Sequence, residues 1–237
     1  MSIRRLILVL GDQLDEFASV LTQSDPDQDM VCMAEVWGES THVLSSRQRT
    51  ALFLSAMRHF ANRLRELGWR VAYQRLDDPG ALTTLEAVLL RDIHQFKPTT
   101  LAVTAPGEWR ILQILRQTAQ QTELALEIVE DSHFFTTVQD FARHAQGRKQ
   151  LRMEYWYREQ RKRFGVLMEG KQPVSGQWNF DAENRESFDK SGPGPLPPEP
   201  KHVNDEITLE VIDWINQHMT QLPGELNTFN WPVTREQ

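Results

Sequence analysis

The chain has 237 residues, 40% hydrophobic and 25% charged, and a formal net charge of −7. That supplies enough apolar material for one sizeable core. No run approaches the eighteen or so apolar residues that a membrane helix needs, so a soluble, cytoplasmic protein is expected. A lone cysteine, Cys32, excludes an internal disulfide and reads as a small buried hydrophobe.

Residues 4–10, "RRLILVL", are short, apolar and closed by Gly11-Asp12, which predicts a buried strand rather than a signal peptide, since no small-residue cleavage site follows. "MVCMAEVW" (30–37) predicts a second strand. A helix is expected over 46–67, with Leu52, Ala56, His59, Phe60 and Arg63 at helical spacing and Gly68 at its C-terminal cap. Strands at 69–76, 100–105 and 124–131 then alternate with helices at 80–96 and 107–122. Apolar strands alternating with helices specify an α/β fold, a doubly wound, mostly parallel five-stranded sheet.

Beyond residue 131 the pattern changes. Helices are expected at 137–146 and 149–164, an irregular stretch ends in the polyproline-like "SGPGPLPPEP", and an amphipathic helix covers 205–219, with Ile207, Val211, Trp214, Ile215 and Met219 apolar. The expected division is 1–135 for the α/β domain, 136–190 for a basic helical segment and loop, and 191–237 for a linker and the start of a further helical domain.

Open parallel sheets bind ligands beyond the carboxyl ends of their strands. Three segments fall there: Gly11, Asp12, Gln13 and Leu14; Met33, Ala34 and Glu35; and Pro106, Gly107, Glu108, Trp109 and Arg110. Each also has a plain structural reading. "GDQL" makes a turn in which Asp12 caps a short helix. Glu35 pairs with His42 or Arg110, or accepts from the N–H groups of a heterocycle. "PGEWR" is a well-made helix start. "GDQL" lacks the further glycines of a dinucleotide fingerprint, and there is no P-loop and no G-x-S-x-G. The seven histidines have no metal-ligand spacing, so no metal site is assigned.

From Arg143 to Arg163 eight Lys/Arg face two acids, a local +6 that leaves −13 on the other residues. On a helix, Met153, Trp156, Tyr157, Gln160 and Phe164 share the side expected to pack inward. Glu154–Arg158 and Glu159–Arg163 form i,i+4 pairs, and six cations stay free among aromatic rings. That combination suits a phosphate backbone, against the plain reading of a solvated helix. "WNFDAENR" (178–185) follows, with Asp181 and Asn184 placed to bond nearby backbone and Trp178 and Phe180 to pack down.

"GDQL", "MAEV", "RHFANRLRELGWRVAYQRLDD", "PGEWR", "GRKQLRMEYWYRE" and "GQWNFDAENR", in this order, resemble the bacterial iron–sulfur cryptochrome/photolyase family, the prokaryotic (6-4) photolyases or deoxyribodipyrimidine photolyase-related proteins. The resemblance runs over essentially the whole chain. It implies a light-harvesting antenna domain that binds 6,7-dimethyl-8-ribityllumazine through the three segments above, with Glu35 as the contacting carboxylate. It implies damaged DNA as partner, met by Arg148, Lys149, Arg152 and Arg185. It places FAD and a 4Fe-4S cluster in a second, helical half, so the chain reads as an N-terminal half without catalytic residues, and the 205–219 helix is expected to expose apolar surface and promote self-association. A flavodoxin-like nucleotide-binding domain and a non-catalytic nucleic-acid-binding module stand as the alternatives.

Overall fold

The computed structural model describes residues 3–181 and 187–237. Five strands form one parallel sheet: β1 (Arg5–Leu8), β2 (Met30–Ala34), β3 (Val71–Gln74), β4 (Thr100–Thr104) and β5 (Ala125–Val129), in the order β3-β2-β1-β4-β5. Between them run α1 (Ser19–Thr22), α2 (Trp37–Thr41), α3 (Arg47–Glu66), α4 (Leu85–Phe96) and α5 (Trp109–Gln121). The expected doubly wound α/β class is the one found. β1 lies at the centre, with Leu6 in register with Met30 on one side and Leu101 on the other. Its alternation divides the core: Leu6 and Leu8 pack with α4 and α5, whereas Ile7 and Val9 pack with α3.

Local chemistry sets the helix ends. Ser46 Oγ accepts from Arg49 N to start α3. The helix closes in a Schellman turn, Trp69 N donating to Leu64 O and Gly68 N to Arg65 O, both 3.0 Å, with Gly68 at φ +88°. α4 starts at Leu85, five residues later than expected, because Thr84 caps it through Ala87 N. The inward face of α3 also differs from expectation. Thr50, Ala51, Leu54, Met57, Arg58, Ala61 and Leu64 are buried, while Arg63 is exposed and Leu52, Ala56, His59 and Phe60 are half-buried. One long helix here serves two cores, so its stripe is wider than a single spacing suggests.

The second core is the main correction to the expected exposed C-terminal helix. α8 (Glu206–His218) buries Val211, Ile212 and Ile215 against Ala51 and Leu54 of α3, and Met219, Leu222, Leu226, Phe229 and Val233 complete the cluster. Trp214 meets Trp37 edge-on, with ring centroids 6.1 Å apart. The apolar face that was expected to seek a partner or a second copy is satisfied within the chain.

The chain divides into two compact units, Met1–His133 with Lys201–Gln237, and Phe134–Pro200. The second unit holds α6 (Val138–Ala145), α7 (Met153–Phe164) and a short antiparallel pair, β6 (Met168–Glu169) and β7 (Gln172–Pro173), which the sequence pattern did not indicate. No helix of the described residues is long and apolar enough to cross a membrane.

Candidate functional site

A cleft of about 180 Å³ opens at the carboxyl ends of β1, β2 and β4. Seven of the expected residues line it: Gly11, Asp12, Ala34, Glu35, Pro106, Gly107 and Glu108. The other five stand elsewhere. Gln13 turns its amide to the end of β4, Nε2 donating to Thr104 O and Ala105 O at 3.2 Å. Met33 is buried in the sheet on the α3 side. Leu14 lines a separate cavity with Phe17, Phe60 and Val233. Trp109 is exposed and carries Arg116 on its ring. Arg110 is bonded to Glu39 and Glu108. Asp12 caps no helix: α1 begins seven residues later, with Ala18 at its N-cap and no side-chain bond there.

Glu35 is bound neither by His42 nor by Arg110. Its carboxylate is buried and accepts four hydrogen bonds: from Arg58 Nε at 2.7 Å and Nη2 at 2.9 Å, from Tyr73 Oη at 2.7 Å, and from Leu76 N at 2.9 Å. The Tyr73 hydroxyl is pushed far up, first by burial and then by this carboxylate. Arg58 Nη2 also donates to Asp77 at 3.0 Å, and Asp77 leads through Arg75 to Glu210 of α8. Glu35 therefore spends its acceptor capacity on the protein and meets the cleft through its main chain. A buried charge is tolerated only with such a full set of partners.

In the second unit the basic segment is more heavily paired than its spacing implied. Arg158 pairs with Glu154 as expected. Glu159 pairs instead with His144 Nδ1 at 2.7 Å and with Arg148 at 3.0 Å, and Arg163 turns to Asp140 at 3.1 Å. The expected inward side of α7 is largely exposed, Met153, Tyr157 and Phe164 included, and its buried residue is Arg161. Arg161 donates to the carbonyls of Val166 and Leu167. Arg158, Arg161 and Lys162 gather at Trp178, 5.2 to 5.4 Å from its ring centroid. Of the four expected DNA contacts, Lys149 and Arg152 are exposed and without an ion pair among the described residues, Arg148 is committed to Glu159 and the His144 carbonyl, and Arg185 lies outside the described residues.

The chain matches the deoxyribodipyrimidine photo-lyase-related protein family over residues 7–231. It belongs to that family. It is also similar to a (6-4) photolyase of Agrobacterium fabrum (strain C58 / ATCC 33970), 40% identical over 232 residues, which make up 98% of this chain and 45% of that protein. The chain thus spans less than half the length of this photolyase relative.

Within this photolyase-related chain, the cleft has a wall that sequence reasoning missed: Glu39 and Ser40 of α2, Ser45, and Arg49, Thr50, Phe53 and Met57 of α3. Arg49, Phe53 and Met57 recur at i, i+4 and i+8, a signal that was readable but was assigned to a different stripe. Gly11 lies where α3 crowds the turn: a Cβ there would sit 3.0 Å from Met57 Sδ and 3.3 Å from Phe53 Cδ1, so a larger residue must displace those side chains. No group of three or more His, Cys, Asp or Glu among the described residues could hold a metal ion.

Proposed function

We propose that the chain is the light-harvesting part of a photolyase-related flavoprotein, one that serves light-dependent repair of (6-4) photoproducts in DNA or light signalling, and that it binds 6,7-dimethyl-8-ribityllumazine in the cleft. The observation that carries this reading is the cleft itself. Three segments separate in sequence meet at the carboxyl ends of β1, β2 and β4, in a chain that matches the family over 7–231.

The lining fits such a ligand. Leu54, Met57, Phe53 and Ile111 supply apolar surface for a flat ring. Ser40, Ser45 and Thr50 supply hydroxyls, and Asp12 and Glu39 supply acceptors for a polyol chain. Glu35 contributes by holding Arg58 and the β3 end in place. When bound, the lumazine supplies absorption of light and transfer of its excitation energy. The residues do not fit an iron–sulfur cluster, which takes thiolate ligands, because Cys32 is the one cysteine and is buried in β2. Damaged DNA is the proposed partner of the second unit, through Lys149 and Arg152.

Titrating 6,7-dimethyl-8-ribityllumazine with the protein tests the reading. A saturable change in its fluorescence is expected, absent in Gly11→Val, whose larger side chain meets Phe53 and Met57. An unchanged lumazine spectrum at saturating protein would overturn it.

A further inference from the structure

Three cations of α7 converge on one ring in the second unit. The guanidinium carbons of Arg158 and Arg161 and the Lys162 Nζ lie 5.4, 5.2 and 5.2 Å from the ring centroid of Trp178. Their spacing, i, i+3 and i+4, puts all three on one face of the helix. Trp178, half-buried, packs on that face. An aromatic ring attracts a cation through its quadrupole but carries no net charge. It therefore cannot cancel the mutual repulsion of three cations gathered this closely.

Among the described residues a single carboxylate pairs with any of the three: Glu154, with Arg158. Arg161 is buried and directed to the carbonyls of Val166 and Leu167, which are dipoles rather than charges. Lys162 is exposed and without an ion pair among the described residues. A second observation points the same way. Arg158 Nε is buried and has no hydrogen-bond partner among the described residues, although the same guanidinium reaches Glu154 through Nη2. The cluster thus holds both unbalanced charge and unspent donors. A solvated helix laced with ion pairs accounts for the rest of the basic segment, where Glu159 and Asp140 take up His144, Arg148 and Arg163. It does not account for three cations on one ring with one carboxylate between them. A phosphoryl group meets both needs, since its oxygens accept from a guanidinium fork and from an ammonium together.

We propose that Arg158 and Lys162, gathered by Trp178, form a binding site for a phosphoryl group, with Arg161 adding a fixed positive charge. Lys162 lies ten residues beyond Arg152, roughly 15 Å along a helix. A nucleic-acid strand that meets Lys149 and Arg152 would therefore meet this site at a different phosphate. A free oligophosphate offers the same chemistry, and the site does not depend on the DNA contact proposed above.

The test uses the full chain and two probes: inorganic tripolyphosphate in a calorimetric titration at low ionic strength, and duplex DNA bearing a (6-4) lesion across a salt series. Tripolyphosphate is expected to bind saturably, and about tenfold more weakly in Lys162→Ala and in Arg158→Gln. Lys171→Ala, which removes an exposed charge between β6 and β7, is expected to leave its affinity unchanged. Trp178→Phe keeps a ring for the cations and is expected to retain binding, whereas Trp178→Leu is expected to weaken it. With DNA, Lys162→Ala is expected to flatten the slope of log K against log salt by about 1, additively with Lys149→Ala. A tripolyphosphate response with an unchanged DNA slope assigns the site to free oligophosphates. No binding of tripolyphosphate, or an affinity that Lys162→Ala and Arg158→Gln lower no further than Lys171→Ala does, overturns the site. Failure of the chain to bind the duplex overturns the DNA reading, while the tripolyphosphate titration alone decides the site.

Discussion

Arg58 grips Glu35 through two hydrogen bonds, 2.7 Å to Oε1 and 2.9 Å to Oε2, with both side chains almost wholly shielded from water. The pair joins the end of β2 to the middle of α3, at the back of the cleft. Because neither charge reaches solvent, removing Arg58 leaves the Glu35 carboxylate without its counter-charge, whereas removing Glu35 leaves Arg58 its bond to Asp77. Arg58→Met is expected to destabilise the fold by about 3–5 kcal/mol, and Glu35→Met with Arg58→Met by clearly less than the sum of the singles. Urea unfolding followed by far-UV circular dichroism measures this. Single variants as stable as the parent would show that the pair holds nothing together. Loss of lumazine binding in Glu35→Ala would accordingly report a disturbed strand end as much as a lost ligand contact.

Ile215 is fully buried between α8 and α3, next to Ala51 and Leu54. Were α8 an accessory segment, Ile215→Ala would cost little. As a member of a closed core it is expected to cost about 2–5 kcal/mol and to lower the unfolding midpoint of the whole first unit. A biphasic transition, in which α8 melts while the sheet persists, would count against a single core.

Asp140 closes α6 with a capping box, Oδ2 accepting from Thr137 N at 3.0 Å while Thr137 Oγ1 accepts from Asp140 N at 3.1 Å. Arg143 and Arg163 lie at 2.5 and 3.1 Å from the same carboxylate. The backbone bond from Thr137, with these arginines, holds Asp140 down to about 2. A carboxyl lowered by folding stabilises fully above its unfolded value, near 4, and its contribution is lost as the pH falls toward about 2. Stability measured from pH 5 to pH 2 is therefore expected to fall more steeply in the parent than in Asp140→Asn. Superimposable profiles would remove Asp140 from the account.

The sheet was legible because its strands are short apolar runs closed by turn residues, and Leu6 to Leu8 could hardly be placed elsewhere. The position of the cleft was legible too, since topology puts ligands at strand ends whatever the side chains are. Partner choice was not. Glu35 lies far in sequence from Arg58, Tyr73 and Leu76, and nothing in the spacing of "MAEV" selects Arg58 over Arg110. The same limit applied to Glu159, whose i,i+4 neighbour Arg163 was outcompeted by His144 and Arg148 from the preceding helix and loop. α8 was read as amphipathic correctly, but an apolar stripe does not name its partner, and α3 had a second face to offer.

Of the residues expected to meet DNA, Lys149 and Arg152 are exposed and without ion pairs among the described residues, and so available for a phosphate backbone. If they contact phosphates, each releases counterions on binding, and Lys149→Ala and Arg152→Ala should each flatten the slope of log K against log salt by about 1. The assay is binding of the protein to duplex DNA bearing a (6-4) lesion across a salt series. Arg161→Ala serves as the contrast. Its side chain is buried and bonded to Val166 and Leu167 carbonyls, so it is expected to destabilise α7 without a change in slope once the fraction folded is accounted for. Slopes unchanged in both Lys149→Ala and Arg152→Ala would exclude this surface as the DNA contact, and the basic helix would then be what its ion pairs with Glu154, Glu159 and Asp140 make it on their own, a salt-bridged face turned to solvent.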